Sequence, residues 1–529
     1  MEAQTYHTDV LVIGGGAAGL RASIEAKRRG CKVLLASKAL IGYASSTMYA
    51  GGGFRAALGE YTQEKHFGET IMGGKLLNDQ ELVRTMVLEA PERLMQLEDF
   101  GVIVRKRDIG INVTDGPVTS GKGLVLPMTR YAKEIGVDFI ENVMAIDILV
   151  DDAARGAIFL DIRNEKIITI VSKVVVMATG GYSQLFARTD NPIQVSGDGC
   201  AMALRAGAVL SDLEFTQFFP LGLAEPGRPA WLIPAYNARL TNSLNEDVLS
   251  KHQFSKPLSR AAVENRDMLS RSMWTEITQG NGIDETLIMD VSDIPEKQLG
   301  SLFVLNVKRP RFRVAPTAHF TMGGVMIDKN CRTNIKGLLA CGEVTSGVHG
   351  ANRLGGNALT EAIVYGARAG IEAYEESADG AIYKLDESQV RKEEMLISQL
   401  KRGRYSTRNV KRELQREMWT KCGVMRDKSG LEDLLSFIKE KNPEVEDLAA
   451  CNALEAAGAI QLRNMFQVAE VVARSALIRE ESRGAHYRSD FPEQKDNTWL
   501  KRVTVSGENN TRSMSFAPVE LTYLSLKCT

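Results

Sequence analysis

The apolar run Val10-Leu11-Val12-Ile13 stops abruptly at Gly14-Gly15-Gly16-Ala17-Ala18-Gly19, and a helix-favouring stretch over 20–29 follows. A strand that turns sharply into a helix beneath a pyrophosphate needs glycine at the turn, so this pattern predicts the start of a nucleotide-binding fold. A second strand over 31–37 completes one mononucleotide-binding half. The apolar stretches 143–158 and 166–179 read as paired strands, with Asp151-Asp152 at a turn. The latter ends in Ala178-Thr179-Gly180-Gly181, where paired glycines mark a close approach of backbone to a bound group. Gly197-Asp198-Gly199 then opens a predicted helix over 200–206 whose first donors suit a phosphate or a flavin oxygen.

Near residue 216 the pattern changes. Prolines at 220, 226, 229, 234, 257, 295, 310 and 316 interrupt mixed polar segments, which predicts an inserted second domain over 216–318. The glycine-rich style returns over 319–375. There the short apolar run 337–341 leads to His349-Gly350-Ala351-Asn352-Arg353-Leu354-Gly355-Gly356-Asn357 and a small-residue helix over 358–369. Such a loop brings backbone donors and a guanidinium to an anion or an isoalloxazine ring. Residues 386–480 read almost continuously as helix, and the chain after Pro492 as a short polar tail. The expected divisions are therefore 1–215, 216–318, 319–375, 376–492 and 493–529.

Composition narrows the function classes. A chain of 529 residues exceeds one ordinary core and predicts two to four domains. Lys plus Arg (65) balance Asp plus Glu (66), which leaves no overall field for nucleic acid or acidic lipid. Seven cysteines form no CxxC pair and six histidines are scattered, so neither an iron–sulfur cluster nor another metal site is expected in this chain. No signal-like segment or 18-residue uncharged span occurs, which predicts a cytoplasmic protein without a membrane span, or a subunit held at the cytoplasmic face of a membrane. The basic run over 401–412 reads as a solvated helical face or as a docking patch for an acidic partner. Ser37 stands where a ribose-binding acid is usual. His319 and Arg353 suit a carboxylate clamp or the stabilisation of developing negative charge, although each also has a purely structural reading, as does Arg266 in its charged stretch.

The order of these motifs resembles the FAD-dependent family of fumarate reductase and succinate dehydrogenase flavoprotein subunits, which includes L-aspartate oxidase. The resemblance covers nearly the whole chain. It adds the motifs Gly342-Glu343, His319 to Gly324, and Glu481-Ser482-Arg483-Gly484-Ala485-His486. The implied fold is α/β plus α: a Rossmann-like FAD-binding domain with an inserted α+β capping domain, then a three-helix bundle and a short tail. The implied cofactor contacts are Gly14, Gly16, Ala18, Gly19, Ser37, Lys38, Ser45, Ser46, Thr47, Gly52, Gly53, Ala178, Thr179, Gly180, Asp198, Glu343, Arg353, Asn357, Ala358 and Leu359. In the implied chemistry His319 and Arg353 hold a substrate carboxylate, Arg266 donates a proton, and reduced FAD gives hydride to an alkene carbon.

Three departures from the family pattern refine the expectation. Ser46 stands in place of the histidine that joins FAD covalently in the dehydrogenases, which implies noncovalent FAD. Phe219-Pro220-Leu221-Gly222 replaces the usual His-Pro-Thr-Gly, and Pro234-Ala235 replaces a frequent Thr-Glu. A buried carboxylate that loses polar contacts loses about 1.5–3 kcal/mol for each. A distal pocket formed by Phe219, Leu221 and Ala235 therefore favours a carboxylate-activated double bond other than that of fumarate. The competing readings are an authentic fumarate reductase or succinate dehydrogenase, an L-aspartate oxidase, and a noncatalytic FAD-binding electron-transfer or scaffold subunit. The resemblance also implies an iron–sulfur partner subunit, in a higher-order complex, and a small carboxylate-containing acceptor.

Overall fold

The computed structural model describes residues 4–524 except 235, 301, 303–306, 308, 379–386 and 509–510. Its largest sheet runs in the order Asp138–Glu141, Val33–Ser37, Gln4–Ile13, Lys166–Met177, Ala154–Asp161, Val143–Val150, and Leu338–Ala340 also pairs with Lys166–Met177. Gln4–Ile13 is parallel to both of its neighbours, whereas Ala154–Asp161 and Val143–Val150 form an antiparallel extension. The run Val10-Leu11-Val12-Ile13 is continuously apolar because both faces of its strand are covered. Val10 and Val12 pack toward the helices Ala17–Arg28 and Asn357–Ala378; Leu11 and Ile13 pack toward Asp198–Arg205 and the C-terminal helices. That division follows from the two-residue period of a strand.

Between the parts of this region the chain forms a second, antiparallel sheet, Thr216–Leu223, Arg311–Thr321, Leu287–Asp290 and Arg239–Thr241. It has its own core of Leu221, Leu240, Leu269, Met273, Met289 and Phe312. Arg311–Thr321 runs past position 318 and carries His319 back to the first region in an unbroken strand.

The nearly continuous helical pattern resolves into Glu387–Leu400, Thr407–Cys422, Lys428–Glu446 and Ala453–Ile478. Val410, Leu414, Met418 and Cys422 repeat every four residues along one buried helix face, and Leu431, Leu434 and Ile438 face them from the next helix. Asp427 and Asn452 begin the later two helices by accepting the amides of Gly430 and Glu455. The tail forms a hairpin, Lys501–Glu508 with Thr511–Pro518, whose first strand pairs with Leu210–Ser211. Among the described residues no helix is long and apolar enough to cross a membrane.

Candidate functional site

A cleft of about 720 Å³ opens at the C-terminal ends of Gln4–Ile13 and Lys166–Met177 and extends toward the second sheet. Of the expected residues, Gly14, Gly16, Ala18, Ser37, Lys38, Ser45, Ser46, Thr47, Gly52, Gly53, Ala178, Thr179, Gly180, Asp198, Phe219, Arg266, His319, Glu343, Arg353, Ala358 and Leu359 line it. Gly19 sits behind this lining, where a Cβ would fall 1.9 Å from the Gly14 carbonyl oxygen. Gly14 has φ +118°, and a Cβ there would fall 2.2 Å from the Ala178 oxygen. Strand end, turn and helix therefore touch backbone to backbone, and the N-terminus of Ala17–Arg28 is left facing the cleft.

Two expected contacts lie elsewhere. The Asn357 side chain is buried against His66 Nε2 (2.9 Å) and donates to Thr70 Oγ1 (2.9 Å), so it fastens the helix start to the neighbouring helix Gln63–Gly73. Leu221 lies in the core of the second sheet. Strand pairing steps from Phe219 with Thr317 to Gly222 with Ala315, and this bulge places Leu221 in the core while Phe219 lines the cleft beside Leu232. Ala235 lies outside the described residues.

The cleft suits FAD on its own chemistry. Thr179 Oγ1 is buried at the cleft wall with no hydrogen-bond partner among the described residues. The Lys38 ammonium pairs with Asp198 and donates to Ser196 Oγ at 3.1 Å, and Asn464 donates to the other oxygen of Asp198 at 2.9 Å, so a residue of the helical region helps fix this wall. Thr47 Oγ1 accepts the Ala17 amide at 3.1 Å. Glu343 accepts both the amide (3.0 Å) and the hydroxyl (3.2 Å) of Thr321, and burial nevertheless pushes its carboxyl up to about 7.

Further along, Arg266 Nη1 and Arg353 Nη2 both donate to one atom, Gln217 Oε1, each at 2.9 Å. The Gln217 amide nitrogen is held in turn by Asn352 Oδ1 (2.6 Å) and the Arg353 carbonyl (3.0 Å). Burial, with Arg266 adding repulsion, lowers the Arg353 guanidinium to about 9. Burial likewise lowers Arg266 to about 10. Arg353 also lies over the Phe320 ring, 4.7 Å from its centroid. His319 Nδ1 is 2.8 Å from Asp190 Oδ2, which orients the ring. Ser46 Oγ donates to Asn191 Oδ1 at 2.6 Å, and Asn191 Nδ2 donates to the His319 carbonyl at 2.8 Å. Sequence reasoning missed Gln217, Asp190 and Asn191. Gln217 carried a usable signal, because it stands directly before the run Phe218 to Leu223, which has no polar side chain.

Residues 9–359 match the model of an FAD binding domain, and residues 411–529 match the fumarate reductase flavoprotein C-terminal model. The chain belongs to the fumarate reductase and succinate dehydrogenase flavoprotein family. It is 35% identical to an uncharacterized FAD-dependent oxidoreductase of Methanocaldococcus jannaschii, over 95% of this chain and 96% of that protein. It is 34% identical to one of the subunits of the CoM/CoB fumarate reductase of Methanothermobacter marburgensis, over 96% of this chain and 98% of that protein. The structure of an Escherichia coli quinol fumarate reductase chain superposes with a TM-score of 0.91 at 29% identity, covering 99% of this chain and 98% of that chain. As a member of this flavoprotein family, the chain binds FAD and is an oxidoreductase.

Proposed function

We propose that this protein is the flavoprotein subunit of a fumarate reductase-like complex and reduces a carboxylate-activated carbon–carbon double bond, with fumarate as the acceptor best supported by its relatives. The convergence of Arg266 and Arg353 on Gln217 Oε1, beside His319 in a cleft suited to FAD, carries this reading. FAD, when bound, supplies the hydride. Arg353 and His319 clamp one carboxylate and so fix the acceptor carbon. The two guanidiniums stabilise negative charge that develops toward that carboxylate. Arg266, whose proton affinity is lowered by burial, gives its proton to the second carbon. Ser46 occupies the place of a covalent histidine, and this supports noncovalent FAD. Electrons arrive from an iron–sulfur protein of the same complex, on the cytoplasmic side of a membrane or free of one. We further assign 216–318 as a capping domain, 376–492 as a helical domain and 493–529 as a tail, with the FAD-binding domain formed by 1–215 and 319–375.

A second reading keeps the reaction and changes the acceptor. Phe219 and Leu232 make part of the cleft apolar, which favours an enoate with a larger, less polar distal end. Anaerobic photoreduction of the flavin followed by mixing with fumarate, larger enoates and iminoaspartate tests both. Rapid reoxidation by fumarate supports the first reading, selective reoxidation by a larger enoate supports the second, and reoxidation by none overturns both.

A further inference from the structure

Two cations that line the cleft, Arg55 and Arg107, have no place in the chemistry above, and Arg55 is the one held against the loop that carries Arg353. Arg55, at the end of the short strand Gly53–Arg55, lines the same cleft as Arg266, Arg353 and His319. Its backbone amide donates to the Gly356 carbonyl at 3.2 Å, and its Nε donates to the Gly355 carbonyl at 3.0 Å. Gly355 is also where Arg266 approaches, since a Cβ at that position would fall 3.2 Å from Arg266 Nη2. Arg55 and Arg266 thus flank one peptide of the loop that carries Arg353, close enough for the Arg55 charge to lower the proton affinity of Arg266.

Nearby carboxylates offset this charge only in part. Arg55 Nη1 pairs with Glu69 Oε2 at 2.5 Å and with Tyr61 OH at 2.9 Å, but the Glu69 side chain is 37% exposed, so water shares its charge. No hydrogen bond of Arg55 Nη2 is found among the described residues. Arg266 and Arg353 have a neutral amide oxygen between them in place of a carboxylate. The acids that line the cleft are engaged: Asp198 by Lys38, Asp190 by His319 and Glu343 by Thr321. Arg55, Arg266 and Arg353, with Arg107 also lining the cleft, present more guanidiniums than a single carboxylate needs.

We propose that Arg55 binds the second carboxylate of a dicarboxylate acceptor, supplying from the flavin-binding region the polar contact that Phe219 and Leu232 do not provide. This inference rests on the enoate-reductase reading and names the dicarboxylate class for that same site. The Glu69–Tyr61 pair then holds Arg55 Nη1 aside and leaves Nη2 for the ligand.

The test is calorimetric titration of holoprotein with malonate, a dicarboxylate that is not reduced, and with propionate, its monocarboxylate counterpart. Arg55→Gln is expected to weaken malonate at least tenfold and to leave propionate within twofold of wild type. Glu69→Gln is expected to retain or tighten malonate, because it removes a competing carboxylate from Arg55. The proposal is overturned if wild type does not bind malonate, if Arg55→Gln binds it normally, if both variants weaken it equally as a structural ion pair requires, or if both ligands weaken together. Turnover of wild type with fumarate reads the parent assignment separately. An inactive wild type whose malonate site still depends on Arg55 overturns the reaction and leaves the site standing.

Discussion

Replacing Gln217 by leucine removes the atom that accepts from both Arg266 and Arg353 while nearly preserving side-chain volume. Arg266 Nη1 and Arg353 Nη2 each lose a 2.9 Å bond, and Arg353 Nε is already buried with no partner among the described residues. Hydrogen bonds to charged groups contribute about 1.5–3 kcal/mol each. Two at the lower figure give about 3 kcal/mol, which at about 1.4 kcal/mol per tenfold corresponds to a fall of about 150-fold in kcat/KM if the bonds act through substrate clamping and the transition state. Flavin content is expected to stay normal, because Gln217 is absent from the residues lining the cofactor cleft. Gln217→Glu separates geometry from charge. A carboxylate at the same place pairs with both guanidiniums and competes with the substrate carboxylate, so KM is expected to rise more than kcat falls. The assay is anaerobic fumarate reduction by a reduced viologen dye, with flavin measured by absorbance on the same preparation. A leucine variant with full flavin and kcat/KM within threefold of wild type would refute the shared-acceptor argument.

Three other outcomes are expected. In the free enzyme kcat/KM should decline above about pH 9, because the Arg353 clamp works only when protonated and loses its proton as pH rises through that value, whereas kcat should hold until pH approaches about 10, where the Arg266 proton donor is lost; a flat kcat/KM profile to pH 10 would contradict this. Acid precipitation should release all flavin into the supernatant, and flavin retained on the denatured chain would show a covalent link despite Ser46. Gly19→Ala should purify largely without FAD, as judged by the absorbance ratio of flavin to protein, because its methyl group would fall 1.9 Å from the Gly14 oxygen; full flavin occupancy would show that the turn relaxes at little cost.

What the sequence made legible was local. The first glycine turn, the strands around 143–177 and the helix after Asn357 each announce themselves within one contiguous window, and the structure forms Val143–Val150, Ala154–Asp161, Lys166–Met177 and Asn357–Ala378 there. The cleft contacts contributed by those turns were legible for the same reason. Leu221 was misread because a bulge shifts the alternation that otherwise keeps i and i+2 on one face. Asn357 was misread because its partners, His66 and Thr70, lie nearly 300 residues away in the chain. The tail reads only as short and polar; its hairpin is local, but the pairing with Leu210–Ser211 that docks it is a contact that no local window contains. Gln217 and Asp190 are ordinary polar residues until Arg266, Arg353 and His319 meet them in space.

The second sheet lies in the middle of the chain, and the largest sheet takes its last strand from Leu338–Ala340. A ribosome therefore releases Lys166–Met177 long before its final neighbour exists, and the second sheet, with its own core, is complete in sequence by Thr321. The second sheet can settle first, while the cofactor cleft waits for the loop bearing Arg353 and for the helix Asn357–Ala378. Flavin capture would then come late in synthesis, and a chain stopped before residue 357 would leave the sheet face that carries Val10, Val12, Val174 and Val176 without the helix Asn357–Ala378 that packs on it.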